Sequence, residues 1–161
     1  KTSGVDQVRN CLENMSESDM AVLGFMDIDN FKSVNDTYGH ENGDFWIREI
    51  AAALQEICEP SGIVCRYGSD EYILFLRNAE ERDELTARIE RFRKRVHDRA
   101  EERKQDVHCS VRLYQVRGAG RELSECITIA DELLYQAKEN GKDTYVIGEK
   151  ARFGCSSGED L

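Results

Sequence analysis

The spacing of apolar residues divides the chain into strands and helices before any chemistry is considered. Met20 to Ile28 (MAVLGFMDI) is a short apolar run that ends on an acid and leads into polar, turn-prone residues. That is the pattern of a buried strand, with Asp27 at its C-terminal end. From Asn42 to Cys58 the residues Ile47, Ile50, Ala51, Leu54, Ile57 and Cys58 recur at helical steps, and the pattern stops at a Glu-Pro-Ser-Gly turn around Pro60. Ile63 to Tyr67 and Asp70 to Leu76 read as two strands about a two-residue Gly68-Ser69 turn, a hairpin with adjacent acids at its tip. Residues 79 to 104 are dense in charge, and only Leu85, Ile89, Phe92 and Val96 mark a narrow apolar stripe, which predicts a helix with a broad solvated face. Val107 to Val116 alternates as a strand. Leu123, Cys126, Ile127, Ala130, Leu133, Leu134 and Ala137 mark a further amphipathic helix that Asn140-Gly141 ends, and Thr144 to Ile147 is a last short strand.

With an opening helix before the first strand, this order predicts an α/β (α+β) sandwich in which helices flank a central, mostly antiparallel sheet, and a ferredoxin-like, split βαβ arrangement is the expected architecture. The 161 residues, 40% hydrophobic, are the size of one domain with its own core. That domain is expected over residues 1–150, with 151–161 as a flexible tail that has little to bury. A net charge of −10 repels polyanions and argues against a nucleic-acid partner. The longest charge-free apolar stretch, Ala21 to Met26, is far short of the roughly 20 residues a membrane helix needs, so no direct membrane contact is expected of this segment. The chain begins with Lys1 and no leader pattern follows, which suits a cytoplasmic fragment of a longer protein. Cysteines 11, 58, 65, 109, 126 and 155 form no CxxC pair, so they read as reduced, mostly buried thiols rather than a zinc or disulfide framework.

Two acidic points stand out: Asp27 at the end of the first buried strand, and Asp70-Glu71 beside the hairpin turn. If those strands are sheet neighbours, the carboxylates meet and form an oxygen-ligand site suited to Mg²⁺, whose coordination is completed by waters and by the phosphates of a nucleoside triphosphate. Spacing alone leaves a second interpretation open, in which Asp27, Asp29 and Asp36 are solvated loop acids and Asp70-Glu71 decorate a hairpin. Asp44 reads equally as an N-cap of the helix that follows it. Lys32, Lys138 and Lys142 read equally as solvated lysines. Phe31 and Trp46 suit a core or pocket wall, and His40, His97 and His108 have no ligand spacing.

Several ordered segments resemble the GGDEF family of diguanylate cyclases: Asp27-Ile28-Asp29-Asn30-Phe31-Lys32-Ser33-Val34-Asn35-Asp36-Thr37-Tyr38-Gly39-His40, then Gly43-Asp44, then Arg66-Tyr67-Gly68-Ser69-Asp70-Glu71-Tyr72, then Ala130 to Asp143. The resemblance covers most of the chain. It implies a palm-type domain that binds GTP with Mg²⁺ (or Mn²⁺) and, as a head-to-head homodimer, condenses two GTP into cyclic di-GMP and two pyrophosphates. By the same resemblance Asp27, Asp70, Glu71 and the backbone carbonyl of Ile28 hold metal, and Asp70 and Glu71 are catalytic. Asn35 and Asp44 read guanine. Lys32, Lys138 and Lys142 contact phosphate, and Phe31, Gly68 and Ser69 line the substrate site. The family's usual setting implies an attached sensory or regulatory domain and a cytoplasmic output domain, which a longer membrane-bound protein can carry.

The chain departs from the family pattern at identifiable places. Its signature is Gly68-Ser69-Asp70-Glu71-Tyr72 rather than Gly-Gly-Asp-Glu-Phe, which puts a side chain at a position of close backbone approach and adds a Tyr72 hydroxyl that is harmless where it reaches solvent. Lys142 stands for an arginine, and Ser110-Val111-Arg112 for Ser-Ile-Gly. Glu59-Pro60-Ser61-Gly62 occupies the place of the RxxD feedback motif, so product inhibition there is not expected. These departures define the alternative to an active cyclase: a degenerate module that binds GTP without turnover and regulates an attached domain.

Overall fold

The structure, a computed structural model, describes residues 3–59, 62–77, 81–118, 122–139 and 145–151. In chain order the elements are α1 (Gly4–Glu13), β1 (Met20–Ile28), α2 (Phe31–Tyr38), α3 (His40–Cys58), β2 (Ile63–Arg66), β3 (Glu71–Arg77), α4 (Arg82–Arg103), β4 (Cys109–Arg117), α5 (Leu123–Glu139) and β5 (Tyr145–Ala151). The strands form one sheet in the order β2-β3-β1-β4-β5. All pairings are antiparallel except β4 with β5, which is parallel. The α+β class and the mostly antiparallel sheet read from the sequence are both present.

The apolar run of β1 has a structural cause. It is the central strand, flanked on both edges and covered on both faces, so nearly every side chain along it is buried. Val22 and Met26 face one core with Trp46, Ile50 and Leu54 of α3 and Leu85, Ile89, Phe92 and Val96 of α4. Leu23 and Phe25 face a second core with Val8 and Leu12 of α1 and Leu123 and Cys126 of α5. β4 is buried on both faces for the same reason. The helix α1 is fixed at its start by the Ser3 side chain, which accepts from the Asp6 amide at 3.1 Å. Gly4 lets this helix approach the sheet, because a Cβ there would lie 2.4 Å from that of Cys65.

Four sequence expectations change. The β2–β3 connection is longer than a two-residue turn: Tyr67 donates to the Glu71 carbonyl at 2.8 Å, which encloses Gly68, Ser69 and Asp70. The helix α3 begins at His40, so Asp44 lies in its second turn and does not cap it; the N-cap position is Gly39, at φ 92°. The charged helix α4 is more than a solvated face. Arg95 pairs with Glu49 and Glu56 of α3 at 3.0 Å each, and Arg88 donates to the Ile57 carbonyl at 2.7 Å. Finally, β5 runs through Ala151, beyond the Ile147 end read from the sequence and into the first residue of the tail expected over 151–161; residues 152–161 lie outside the described residues. Cys58, Cys109 and Cys126 are buried and Cys11 and Cys65 half-buried, none of these five in a disulfide, and Cys155 lies outside the described residues.

Candidate active site

The ladder register brings the acidic points together. Asp27 pairs directly with Glu71 on one side and with Ser110 on the other. The Ile28 amide donates to the Asp70 carbonyl at 3.1 Å, which ties the hairpin loop to the end of β1. Asp27, Asp70 and Glu71 therefore share one edge of the sheet at the junction of β1, β3 and the hairpin. Arg66 braces this loop, donating from Nε to the Gly68 carbonyl at 3.0 Å and from Nη2 to the Ser69 carbonyl at 2.6 Å. Sequence reasoning missed that role, although an arginine two and three residues ahead of the carbonyls it reaches was the available signal.

The electrostatics record the crowding. Glu71 has its carboxyl held above the ordinary range, first by desolvation and then by the neighbouring Asp70 and Asp27 charges; Arg112 opposes the rise. Asp27 is 7% exposed. Asp29, offered above as a possible loop acid, is also buried, and its Oδ1 accepts from the Ser110 hydroxyl at 2.7 Å, a structural role. The donor set of Asp27, Glu71 and Asp70 suits a hard divalent cation that takes one or two carboxylates and leaves its other positions to water and phosphate. Among the described residues, no group of three or more His, Cys, Asp or Glu side chains is drawn together closely enough to hold a metal ion.

The nucleobase candidates converge on the α2–α3 corner. A Cβ at Gly43 would fall 1.8 Å from Asn35 Oδ1 and 3.4 Å from the Phe31 ring, so glycine at 43 is what lets Asn35 lie against α3 beside the exposed Asp44. Phe31 is half-buried and packs on the larger core. Trp46 is wholly buried and donates to the Gln105 side chain at 2.7 Å, a core residue. Lys32 is exposed and pairs with Asp36 at 3.1 Å. The backbone of Lys138 belongs to α5, but its side chain, and all of Lys142, lie outside the described residues.

The variant signature is accommodated differently at its two positions. Ser69 is exposed and its hydroxyl donates to Asp70 Oδ1 at 3.3 Å. Tyr72 does not reach solvent, so its hydroxyl is accommodated inside the fold. It is 2% exposed, and its hydroxyl donates to the Ile47 carbonyl of α3 at 2.7 Å. Burial pushes this phenol up to about 12. The Arg112 substitution has the largest consequence. Its guanidinium is 2% exposed, with Nη1 3.9 Å from Asp27 Oδ1 and 3.5 Å from the Phe25 carbonyl.

A cavity of about 360 Å³, lined in part by Asn10, Cys11, Met20 and Arg77, lies at the opposite end of β1 from Asp27. No helix among the described residues is long and apolar enough to cross a membrane.

A family profile described as "Diguanylate cyclase, GGDEF domain" matches residues 5–144. The Escherichia coli protein named diguanylate cyclase DosC is 34% identical over 137 residues, which covers 81% of this chain and 28% of that protein. The Pseudomonas aeruginosa bifunctional diguanylate cyclase/cyclic di-GMP phosphodiesterase MucR is 31% identical over 152 residues, covering 91% and 22%. Among solved structures, the active GGEEF domain of a Vibrio cholerae diguanylate cyclase superposes with a TM-score of 0.69 at 25% identity, covering 83% of this chain and 85% of that one. The chain thus spans less than a third of either full-length relative.

Proposed function

This chain belongs to the GGDEF family of diguanylate cyclases, and from that premise we propose that it condenses two molecules of GTP into cyclic di-GMP, two copies of the domain each presenting one bound GTP to the other. The observation that carries this reading is the in-register pairing of Asp27 with Glu71, with Asp70 in the adjoining loop. Such an edge holds a divalent cation and a triphosphate together.

In the reaction, the 3′-oxygen of one GTP attacks the α-phosphorus of the other, the bond from that phosphorus to the bridging oxygen of pyrophosphate breaks, and the 3′-hydroxyl proton is lost. A second, reciprocal step closes the ring and releases the second pyrophosphate. Mg²⁺ or Mn²⁺, when bound, would lower the pKa of the attacking hydroxyl and offset the charge of the leaving group. Asp27, Asp70, Glu71 and the Ile28 carbonyl are the residues to hold it. By the family resemblance Glu71 assists at the metal or at the attacking 3′-hydroxyl. Asn35 and Asp44 read the guanine edge, where a carboxylate accepts from N1 and N2 hydrogens that adenine lacks. A site built for those donors leaves its own polar groups unsatisfied with ATP. Lys32, Lys138 and Lys142 offset the triphosphate charge, and Phe31, Gly68 and Ser69 border the nucleotide.

Product feedback through the RxxD position is not part of this reading. Pro60 and Ser61 lie outside the described residues, but a Cβ at Gly62, where that motif's aspartate would stand, would meet the Cys58 carbonyl oxygen at 2.4 Å. The wider setting we propose is a cytoplasmic output domain attached to a sensory or regulatory segment. A second reading, a module that binds GTP without turnover and regulates an attached domain, is favoured by one observation, the buried Arg112 beside Asp27.

Incubating the purified chain at high concentration with GTP and Mg²⁺ or Mn²⁺, beside an Asp70→Ala control, tests the proposal, because pairing is concentration dependent. Cyclic di-GMP that disappears in the control supports the cyclase and its metal edge. Saturable GTP binding with no product would replace the cyclase by the regulatory module.

A further inference from the structure

Arg112 is a charged side chain in the interior, set at the carboxylate that the metal reading depends on. On β4 it is the register partner of Phe25, two residues before Asp27 on β1, so it shares the sheet face of Phe25 and Asp27. Its guanidinium carbon lies 5.9 Å from the Phe25 ring centroid. Its Nη1 is 3.9 Å from Asp27 Oδ1, at the outer limit of an ion pair. Burial works against its charge, and the acids Asp27, Asp131, Glu71 and Asp29 act to retain it.

An arginine at 2% exposure is tolerated where surrounding acids balance its charge, and this cluster supplies them from β1, β3 and α5. The balance works in both directions: the guanidinium also neutralises the acids when no metal is bound. A divalent cation on the Asp27 oxygen nearest Arg112 would sit within roughly 6 Å of this fixed positive charge, given metal–oxygen distances of about 2.1 Å, and the burial of both side chains weakens solvent screening of the repulsion.

We propose that Arg112 is an internal counter-cation that competes with the divalent metal for Asp27 and sets the metal affinity of the site. The inference rests on the metal reading given above. It goes beyond that reading by making metal occupancy a property tuned from inside the sheet, so that the domain is held metal-free until the divalent ion, or a metal–triphosphate complex, reaches a raised threshold.

The test is Mn²⁺ binding to the whole chain, followed by electron paramagnetic resonance of the free ion, with no nucleotide and no turnover required. Arg112→Gln, which keeps much of the side chain and removes the charge, is expected to tighten Mn²⁺ binding by at least about tenfold, whereas Arg112→Lys stays within about twofold of the parent. Asp27→Asn abolishes the binding in either background. Equal affinity in the parent and Arg112→Gln, with binding still lost in Asp27→Asn, overturns the counter-cation role and leaves the metal site standing. Mn²⁺ binding that survives Asp27→Asn overturns the metal reading itself, and this inference with it.

If Arg112→Gln fails to fold, the unsubstituted chain supplies the decision. The Arg112 Nε–H resonance, identified by its loss in Arg112→Lys, is expected to shift as Mg²⁺ is added. A resonance unmoved by Mg²⁺ at a saturating level refutes the proposal.

Discussion

Tyr72 offers the most direct test of how this chain carries its variant signature. Phenylalanine is the family residue at this position, yet the structure predicts that Tyr72→Phe destabilises the domain. The hydroxyl is buried and donates to the Ile47 carbonyl at 2.7 Å. Ile47 lies within α3, so its carbonyl keeps a helical partner when the hydroxyl is removed and no acceptor is orphaned. The cost is therefore that of one neutral buried hydrogen bond, about 1 kcal/mol, without the larger penalty of an unsatisfied group. For a domain of this size that lowers Tm by about 2–4 °C. In urea, with a slope of about 2 kcal/mol per molar, it moves the midpoint down by about 0.5 M with the slope unchanged. Far-UV circular dichroism across a urea series reads this directly. Tyr72 pairs with Met26, on the face turned away from Phe25 and Asp27, so metal binding should be unaffected. A midpoint equal to or above the parent would refute the claim that the hydroxyl bond stabilises the fold.

The other predictions concern the site and the thiols. Gly43→Ala gains about 1 kcal/mol of helix propensity, which offsets much of the cost of moving Asn35, so stability changes little while GTP affinity by calorimetry falls about tenfold; unchanged affinity would remove Asn35 from the guanine site. The Glu71 carboxyl is raised in the folded state, so folding binds its proton more tightly than the unfolded chain does, and stability falls as pH rises from the ordinary glutamate range through the raised value. Glu71→Gln should therefore stabilise the metal-free domain at neutral pH, with the gain shrinking on acidification, and urea midpoints at several pH values that show no such trend would contradict this. Burial pushes the Cys58 thiol up to about 12, so iodoacetamide at about pH 8.5 should label half-buried Cys11 well before Cys58, and mass spectrometry showing equal rates would disprove the protection.

Much of this could be read from the chain. β1 was legible to the residue because a strand covered on both faces must be apolar throughout, leaving Asp27 as a conspicuous end point. The carboxylates were legible as types and positions but not as a cluster, since only the register Asp27↔Glu71 brings them together. The hairpin loop was misjudged because Gly68-Ser69 suits a two-residue turn locally, whereas Arg66 and the Ile28 amide, bonding to its carbonyls, hold a longer one. The charge of α4 looked like solvent-facing surface because sequence gives no sign that Arg95 meets Glu49, 46 residues away.

By itself, then, the sequence determined most of the elements, the class of fold and the family, because apolar periodicity and local motifs are properties of neighbours along the chain. Tertiary structure alone decided that Tyr72 turns its hydroxyl into α3, that Gly43 makes room for Asn35, and that Arg112 lies beside Asp27. Each of these depends on which side chains from distant segments are forced into the same desolvated space, where a hydroxyl needs an acceptor and a charge needs its opposite.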